Sequence, residues 1–251
     1  MFSPAGSASL KRSVGLATLT FYGLGNILGA GIYVLIGAMA GHAGMATPLA
    51  FVVAAGVAAF SVLTYSELAA RFPLSAGEAV YVQQGLHITA LSRLVGLLVA
   101  AAGMVSAATV TRGFYGYLSE FIDLPITPVI ILLVAAIGLL AIWGISQSTA
   151  TAAFLTLVEM GGLLLVIWAG SDALANLPQR LPEMLPDLRL DAWQAILPAA
   201  FLAFFAFIGF EDMVNIAEEV KNPSRNMPLA ILAALLIASL FYLMVSLVAV
   251  L

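Results

Sequence analysis

Seven long apolar runs, separated by short charged or proline-rich breaks, constrain the fold of this 251-residue chain more than any other feature. Each run is close to or longer than the roughly 20 residues that an α-helix needs to cross a bilayer. Because lipid cannot pair the polar groups of an open strand edge, we expect all seven runs to be helices. The runs cover residues 14–41, 48–70, 94–117, 127–144, 152–170, 193–217 and 228–251.

The composition agrees with a membrane location. Hydrophobic residues make up 63% of the chain and charged residues 9%, whereas soluble domains are about half apolar and a quarter charged. The net charge is -4 and no basic cluster occurs, which excludes nucleic acid as a partner. The sequence therefore predicts an integral, multi-pass membrane protein surrounded by the lipid bilayer.

The chain lacks the residue patterns that catalysis and metal binding need. It has no cysteine, and its two histidines, His42 and His87, lie far apart in the sequence, so disulfides and metal sites are not expected. The apolar runs contain no paired aspartates and no Ser–His arrangement, which argues against an intramembrane enzyme. We expect neither enzymatic activity nor a cofactor.

The basic residues predict how the chain is oriented in the membrane. We expect this membrane to be the cell (inner) membrane. With the N-terminus in the cytoplasm, most of them fall on the cytoplasmic side, as the positive-inside rule requires. These are Lys11, Arg12, Arg71, Arg93, Lys221 and Arg225. Residues 72–93 are expected to form a short helix and loop on the inner surface, and residues 171–194 an irregular outer loop. Glu67, Glu218 and Glu219 could form ion pairs that close an inner gate, or could simply be solvated.

The first run contains the stretch GNILGAGIYVLIG, residues 25–37, which places four glycines inside an expected spanning helix. A break in such a helix leaves backbone polar groups unpaired, so it persists only where protein or a polar ligand covers it. Gly29 and Gly31 permit close approach of a ligand, and a half-helix starting after Gly31 would point its positive end at a carboxylate. The alternative is that Gly25, Gly29 and Gly31 only let another helix pack closely.

The sixth run repeats this pattern five helices later. Its stretch FLAFFAFIGFEDMVNIAEEV places Gly209 after an aromatic run, with Glu211 and Asp212 at or near membrane depth. Interrupted helices at corresponding positions of two halves indicate an inverted-repeat transporter with its substrate at the midplane. The pair of breaks therefore favours a binding site over simple helix packing.

Three stretches carry a family resemblance: GNILGAGIYVLIG in the first run, SELAARFPLSAGEAVYV after the second, and GFEDMVNIAEEVKNPSRNMPLAI after the sixth. The last stretch, with its E-E-x-K-N-P-x-R-x-x-P pattern, is the strongest match. Together they resemble the amino acid–polyamine–organocation superfamily of amino acid permeases. The resemblance implies an all-α, LeuT-type fold of two five-helix inverted repeats, which transports amino acids by alternating access and binds them between broken helices one and six.

On this plan residues 1–251 form a single transmembrane domain of about seven helices. Residues 1–170 are the first five-helix repeat, and residues 193–251 are the first two helices of an incomplete second repeat. A complete fold of this type has ten helices, so we expect a fragment of a longer permease, a split protein completed by a second chain, or a degenerate product that does not transport. A non-transporting, partner-dependent subunit is thus the alternative to a working permease.

At the first break, the resemblance implies that backbone amides hold the α-carboxylate of the substrate. The amides belong to Gly29, Ala30 and Gly31, and Ile27 flanks the break.

At the second break, carbonyls at the end of the outer half-helix would accept the α-ammonium group, because a helix C-terminus presents unpaired carbonyls. They belong to Ala206, Phe207 and Ile208, next to Gly209. Phe207 is also a candidate aromatic gate, although an ordinary packing role is equally compatible with the sequence. The aromatic lining around Phe204, Phe205 and Phe207 favours neutral substrates, while Glu211 leaves cationic ones open.

Two acidic residues are candidates for coupling or gating. Glu159 lies in the middle of the fifth run, where an acidic charge costs roughly 2.5–3.5 kcal/mol. Because apolar surroundings favour the neutral carboxyl, Glu159 could bind and release a proton as access alternates, and we expect proton coupling. The alternative is a permanently protonated Glu159 that hydrogen-bonds a neighbouring helix. Glu211 is expected to accept N–H bonds from the unwound backbone after Gly209, or to help bind a proton or cation.

Overall fold

The computed structural model describes residues 12–75, 77–186 and 193–251. Within these ranges the chain forms helices and one isolated parallel bridge between Val14 and Val220, with no β-strand. The α-helices in these ranges are α1 (Leu16–Ala43), α2 (Thr47–Arg71), α3 (Gly77–Leu86), α4 (Thr89–Ser119), α5 (Ile126–Trp143), α6 (Ile145–Ala169), α7 (Leu177–Met184), α8 (Ile196–Phe207) and α9 (Pro223–Val250).

Six stretches of the described residues are long and apolar enough to cross a membrane. The first of them, Leu16–Arg71, contains both α1 and α2, which are joined by a single 3-10 turn at Gly44–Ala46. At about 1.5 Å per residue, each of these two helices is long enough to cross a hydrocarbon core of about 30 Å. Seven helices therefore correspond to the seven predicted runs, and the prediction of an all-helical, multi-pass membrane protein is confirmed.

Three of the predicted helices begin at least five residues earlier than expected. α4 begins at Thr89 rather than at residue 94, α6 begins at Ile145 rather than at residue 152, and α9 begins at Pro223 rather than at residue 228. The polar residues at the start of α6 are compatible with a helix because their side chains bond to carbonyls one turn back, as Ser148 does to Gly144 and Thr149 to Ile145. Because the first residues of the helix are polar, the apolar pattern predicted a start that is too late in the sequence.

The outer connection is more regular than predicted. Ser171–Asn176 form a 3-10 helix and Leu177–Met184 form α7, while residues 187–192 lie outside the described part of the chain. Proline in the first turn of α7 is compatible with helix, because the N–H that proline lacks has no partner there. On the opposite face, the short helix expected within residues 72–93 is present as α3.

The buried core is formed by α1, α2, α8 and α9. α2 packs against α8 and α9, and α1 packs against α6, α8 and α9. Fully buried alanines at the contacts let these helices approach closely, as small residues do in membranes. Examples are Ala54, Ala58, Ala199 and Ala203. α4 packs mainly against α3 and α5, and its side chains are largely exposed and apolar, which suits a lipid environment.

α1 is broken at the position that the glycine pattern predicts. The backbone of Gly29 has φ −35° and ψ −150°, which is not helical, and the helix resumes after it. The first spanning segment therefore consists of two half-helices.

The sixth spanning segment is broken as well. α8 ends at Phe207, Ile208 is extended, and the chain continues as a 3-10 helix over Glu211–Glu219. Gly209 has φ 131°, and a methyl group on it would lie 2.5 Å from the carbonyl oxygen of Asn26. Both the backbone angle and the lack of space therefore require glycine at this position.

We expect Gly209→Ala to destabilise the chain by more than about 1 kcal/mol, because alanine is strained at positive φ and its methyl group would meet the backbone of α1. The matched control is Gly37→Ala in α1, where the position is exposed and a methyl group meets no atom within 4 Å. Unfolding by sodium dodecyl sulfate in mixed micelles, followed by circular dichroism, measures both. Equal unfolding midpoints for the two variants would contradict the requirement for glycine.

Candidate functional site

The two helix breaks lie directly against each other. A methyl group on Gly31 would lie 3.0 Å from the Cα atom of Ala206, and one on Gly209 would meet the backbone of Asn26. Glycine at these two positions lets residues 26–31 of α1 touch residues 206–209 backbone to backbone. The predicted substrate residues belong to these two adjoining segments: Ile27, Gly29, Ala30, Gly31, Ala206, Phe207, Ile208 and Gly209.

Gly29 differs from the glycines that make the contact. A methyl group on it would meet no atom within 4 Å. The break in α1 therefore has open space beside its backbone, and a ligand could approach the chain there. The contact at Gly31 and the space at Gly29 occur within one turn of each other.

Tyr242 of α9 connects the two breaks. Its side chain is fully buried, and its hydroxyl group contacts two carbonyl oxygens as a donor, that of Ile27 in α1 and, at 2.9 Å, that of Ala206 in α8. A single phenol proton is thus shared between carbonyls at the broken parts of two helices. The sequence shows only that a tyrosine in an apolar helix needs a polar partner, and it does not show which one.

Tyr242 also belongs to a buried aromatic cluster with Phe51 and Phe207. The Phe207 ring lies 5.0 Å from Tyr242 and 6.4 Å from Phe51, between ring centroids, and Phe51 lies 5.3 Å from Tyr242. Phe207 is therefore a packing residue in this conformation, and its role as a gate stays a prediction. Phe205 is 62% exposed, so it does not contribute to the predicted aromatic lining.

The two acidic candidates lie on different sides of the breaks. Glu211 Oε2 accepts a hydrogen bond of 2.8 Å from the Gly209 N–H, so it holds the unwound backbone. Glu159 lies on α6 beside the second half of α1, where the Tyr33 hydroxyl donates to the Glu159 backbone carbonyl at 3.1 Å.

A separate cavity of about 370 Å³ lies where α3, α4 and the 3-10 segment meet. Its polar lining comes from Glu78, Asp212 and Asn215, and the Tyr65 hydroxyl donates to Glu78 at 3.3 Å. Burial raises the pKa of the Glu78 carboxyl above its ordinary value, and the nearby Asp212 adds to this effect. None of the predicted substrate residues lines this cavity.

The ion pairs expected to form an inner gate are not seen in the described part of the chain. Glu67 pairs with Arg71, which lies one turn away on the same exposed helix face. Glu218 instead accepts a hydrogen bond of 3.1 Å from the backbone N–H of Ser75. Glu218 is therefore held by a hydrogen bond to a backbone group rather than by a salt bridge.

Comparison with known proteins identifies the family of this chain. Residues 14–251 match the family described as amino acid permease. The chain belongs to this family. Membership confirms the resemblance of the three sequence stretches to the amino acid–polyamine–organocation superfamily, whose members are transporters rather than enzymes.

The relatives are named as transporters of different substrates. The chain is 30% identical to the vacuolar cationic amino acid transporter 4 of Arabidopsis thaliana, covering 97% of this chain and 44% of that protein. It is 29% identical to a branched-chain amino acid permease of Bacillus subtilis, covering 96% and 55%. It is 27% identical to a methylthioribose transporter of the same organism, covering 96% and 55%. The chain thus spans about half the length of these curated relatives.

We expect Tyr242→Phe to lower the free energy of unfolding by about 1–3 kcal/mol, because it leaves two buried carbonyls without their shared donor. The control is Tyr117→Phe, which removes a hydroxyl from an exposed tyrosine of α4. Detergent-induced unfolding of both variants against the parent chain measures the difference. A Tyr242→Phe variant as stable as Tyr117→Phe would show that the hydroxyl does not hold the breaks together.

Proposed function

We propose that this chain provides the substrate site of an amino acid transporter that works by alternating access. The observation that supports this most strongly is the backbone contact between two broken membrane helices, with open space beside Gly29. Breaks of this kind leave amides and carbonyls unpaired that would be hydrogen-bonded to each other in an unbroken membrane helix. Polar ligands can form hydrogen bonds with such groups. The proposed architecture is the LeuT-type inverted repeat, with the N-terminus on the cytoplasmic side of a cell membrane.

The substrate is held by its amino acid core. The amides of Gly29, Ala30 and Gly31 bind the α-carboxylate, with the positive end of the second half of α1 behind them. The carbonyls at the end of α8 accept the α-ammonium group. Since the Tyr242 hydroxyl already contacts the Ala206 carbonyl, the ammonium group shares that oxygen or displaces the hydroxyl from it.

A site built from backbone groups can serve the relatives that are named for different amino acids, whereas the methylthioribose transporter is not named for an amino acid. A cationic amino acid transporter and a branched-chain amino acid permease share the α-amino and α-carboxyl groups of their substrates and differ in the side chain. Backbone amides and carbonyls recognise only the shared part. We therefore assign the substrate class as amino acids, without a preference for one side chain.

Proton coupling is the part of the proposal that depends on Glu159. The Tyr33 hydroxyl of α1 donates to the backbone carbonyl of this residue, so α6 contacts the second half of the broken helix here. Gain or loss of a proton at Glu159 would act at this contact. A role of Glu159 in helix packing alone is the competing explanation.

The partner-dependent subunit is the second candidate function. It is favoured by α4, whose apolar side chains are largely exposed and would be covered by further helices. In that case a second chain supplies further helices, and the site on this chain binds substrate only in the complex.

Binding of radiolabelled L-amino acids to the purified chain in lipid tests the site. We expect saturable binding by the parent and at least about a tenfold loss of affinity in Gly29→Leu, because the leucine side chain fills the open space beside the break. Gly29→Ala is the matched control, since its methyl group meets no atom within 4 Å, and a smaller loss is expected.

The outcomes of this experiment separate the two candidate functions. Equal binding by the parent and Gly29→Leu would show that the substrate does not occupy the space beside Gly29. No binding by a folded parent chain would favour the partner-dependent subunit.

The pH dependence of binding tests the role of Glu159. If its protonation favours substrate binding, affinity falls as the pH rises through its titration, whereas Glu159→Gln, which resembles the protonated carboxyl, keeps its affinity at high pH. Glu120→Gln, at the exposed end of α4, should retain the parent's pH profile. An unchanged profile in Glu159→Gln would reject proton coupling through this residue.

A further inference from the structure

A groove between α2 and α9 opens on the outside of the bundle, and none of the predicted substrate residues lines it except through the packing described below. It has a volume of about 320 Å³. Val52 and Leu240 are more than half exposed, whereas Phe51 is fully buried, so this α2–α9 groove leads from the surface of the bundle to the ring of Phe51. Three residues of each helix line it: Phe51, Val52 and Ala55 of α2, and Ser239, Leu240 and Leu243 of α9.

The lining of the α2–α9 groove suits a hydrocarbon. Apart from Ser239 the six lining residues are apolar, and the Ser239 hydroxyl already donates to the Leu235 carbonyl of its own helix at 2.7 Å. A polar ligand would find no free hydrogen-bonding side chain among these six residues, so the cost of removing it from water would stay uncompensated. An apolar occupant has no such cost.

The groove lies at the depth of lipid acyl chains. α2 begins at Thr47 and α9 ends at Val250 on the same side of the bundle, where the connection Ser171–Met184 contacts both helices. At 1.5 Å per residue along each helix, the six lining residues lie roughly 6–17 Å from these two helix ends. One leaflet of the hydrocarbon core is about 15 Å thick. The groove is therefore continuous with the surface that both helices present to one leaflet.

Phe51 also belongs to the aromatic cluster at the breaks. Its ring lies 6.4 Å from that of Phe207 and 5.3 Å from that of Tyr242, between centroids, and the Tyr242 hydroxyl contacts carbonyls of both broken helices. An empty groove would deprive the Phe51 ring of dispersion contacts on the groove side. An occupant of the groove therefore packs against a residue that helps to position the breaks.

We propose that the α2–α9 groove is a binding site for one acyl chain of a membrane lipid, and that the bound acyl chain stabilises the aromatic cluster at the two breaks. This assignment requires the membrane location of the protein and is independent of its substrate. Because a lipid tail is as apolar as the lining, close packing rather than the hydrophobic effect holds the acyl chain in the groove. A side chain that fills the groove from the protein side therefore replaces the lipid.

Photolabelling locates the acyl chain. The probe is a phosphatidylcholine with a diazirine in the middle of one acyl chain, present in nanodiscs with the full protein, and mass spectrometry maps the adducts. We expect higher yields at Val52 and Leu240 than at Val57 and Leu236, which are the same residue types four or five residues deeper on the same two helices.

Two features make this comparison fair. Exposure does not explain the expected difference, because it is 51% and 60% for Val52 and Leu240 against 53% and 69% for Val57 and Leu236. A second probe, with its diazirine nearer the end of the acyl chain, covers the greater depth of the control positions. Equal yields at the groove and the control positions with both probes would overturn the site.

Filling the groove tests whether the label depends on its shape. In Ala55→Phe we expect the adducts at Leu240 to be lost and those at Leu236 to remain, whereas Ala135→Phe, at an exposed position of α5, should keep both. Ser239→Leu fills the groove from α9 and covers the case in which Ala55→Phe does not fold, since the Ser239 hydroxyl bonds only within its own helix. Adducts at Leu240 that persist in both filled variants would overturn the site. A groove without adducts in the parent would assign it to another occupant, such as a second copy of the protein, and would overturn it as well.

Unfolding by sodium dodecyl sulfate in mixed micelles tests the effect on the aromatic cluster. We expect added phosphatidylcholine to raise the unfolding midpoint of the parent and of Ala135→Phe. It should raise that of Ala55→Phe less, because the new phenylalanine already packs against Phe51. An equal rise in all three proteins would overturn the stabilising role of the acyl chain.

Discussion

The contact between two broken membrane helices is the arrangement on which the rest of this structure depends. Inside a bilayer, each backbone group that a break releases has to find a partner within the protein, because lipid provides none. The chain solves this by placing the breaks against each other. The Tyr242 hydroxyl serves carbonyls of both segments, and the Glu211 carboxylate accepts the Gly209 N–H. The breaks are therefore stable only as a pair.

This pairing explains why the core consists of α1, α2, α8 and α9. Close approach of the two broken segments needs glycine at positions 31 and 209, where a methyl group would meet the opposite chain. Tyr242 reaches the breaks from α9, and Phe51 of α2 packs against both Tyr242 and Phe207. The two unbroken core helices thus hold the broken ones in register. α4 and α5, which lie outside this core, have mostly exposed side chains.

Features that depend on local sequence were predictable, and features that depend on how the helices face one another were not. The number of spanning helices follows from runs of apolar residues, and both breaks follow from glycine in those runs. The partner of Tyr242 depends on the rotation of α9 relative to α1 and α8, which no short stretch encodes. For the same reason Phe205 and Phe207, two residues apart, could not be separated into an exposed and a buried side chain. Charge alone suggested ion pairs for Glu218, whereas the structure gives it a backbone N–H as its partner.

The geometry of the breaks also limits where selectivity among amino acids can arise. Gly31 and Gly209 cannot be replaced by larger residues without a clash. The groups that meet at these glycines are therefore backbone groups, and these are the same whichever amino acid is bound. In the proposed site, the amino acid core of a substrate lies in the open space beside Gly29, with its side chain directed away from the backbone contact. On this proposal, differences in side-chain preference between members of the family would come from residues that face this space, on helices other than the two broken ones. Relatives named for cationic and for branched-chain amino acids can then share the same broken helices.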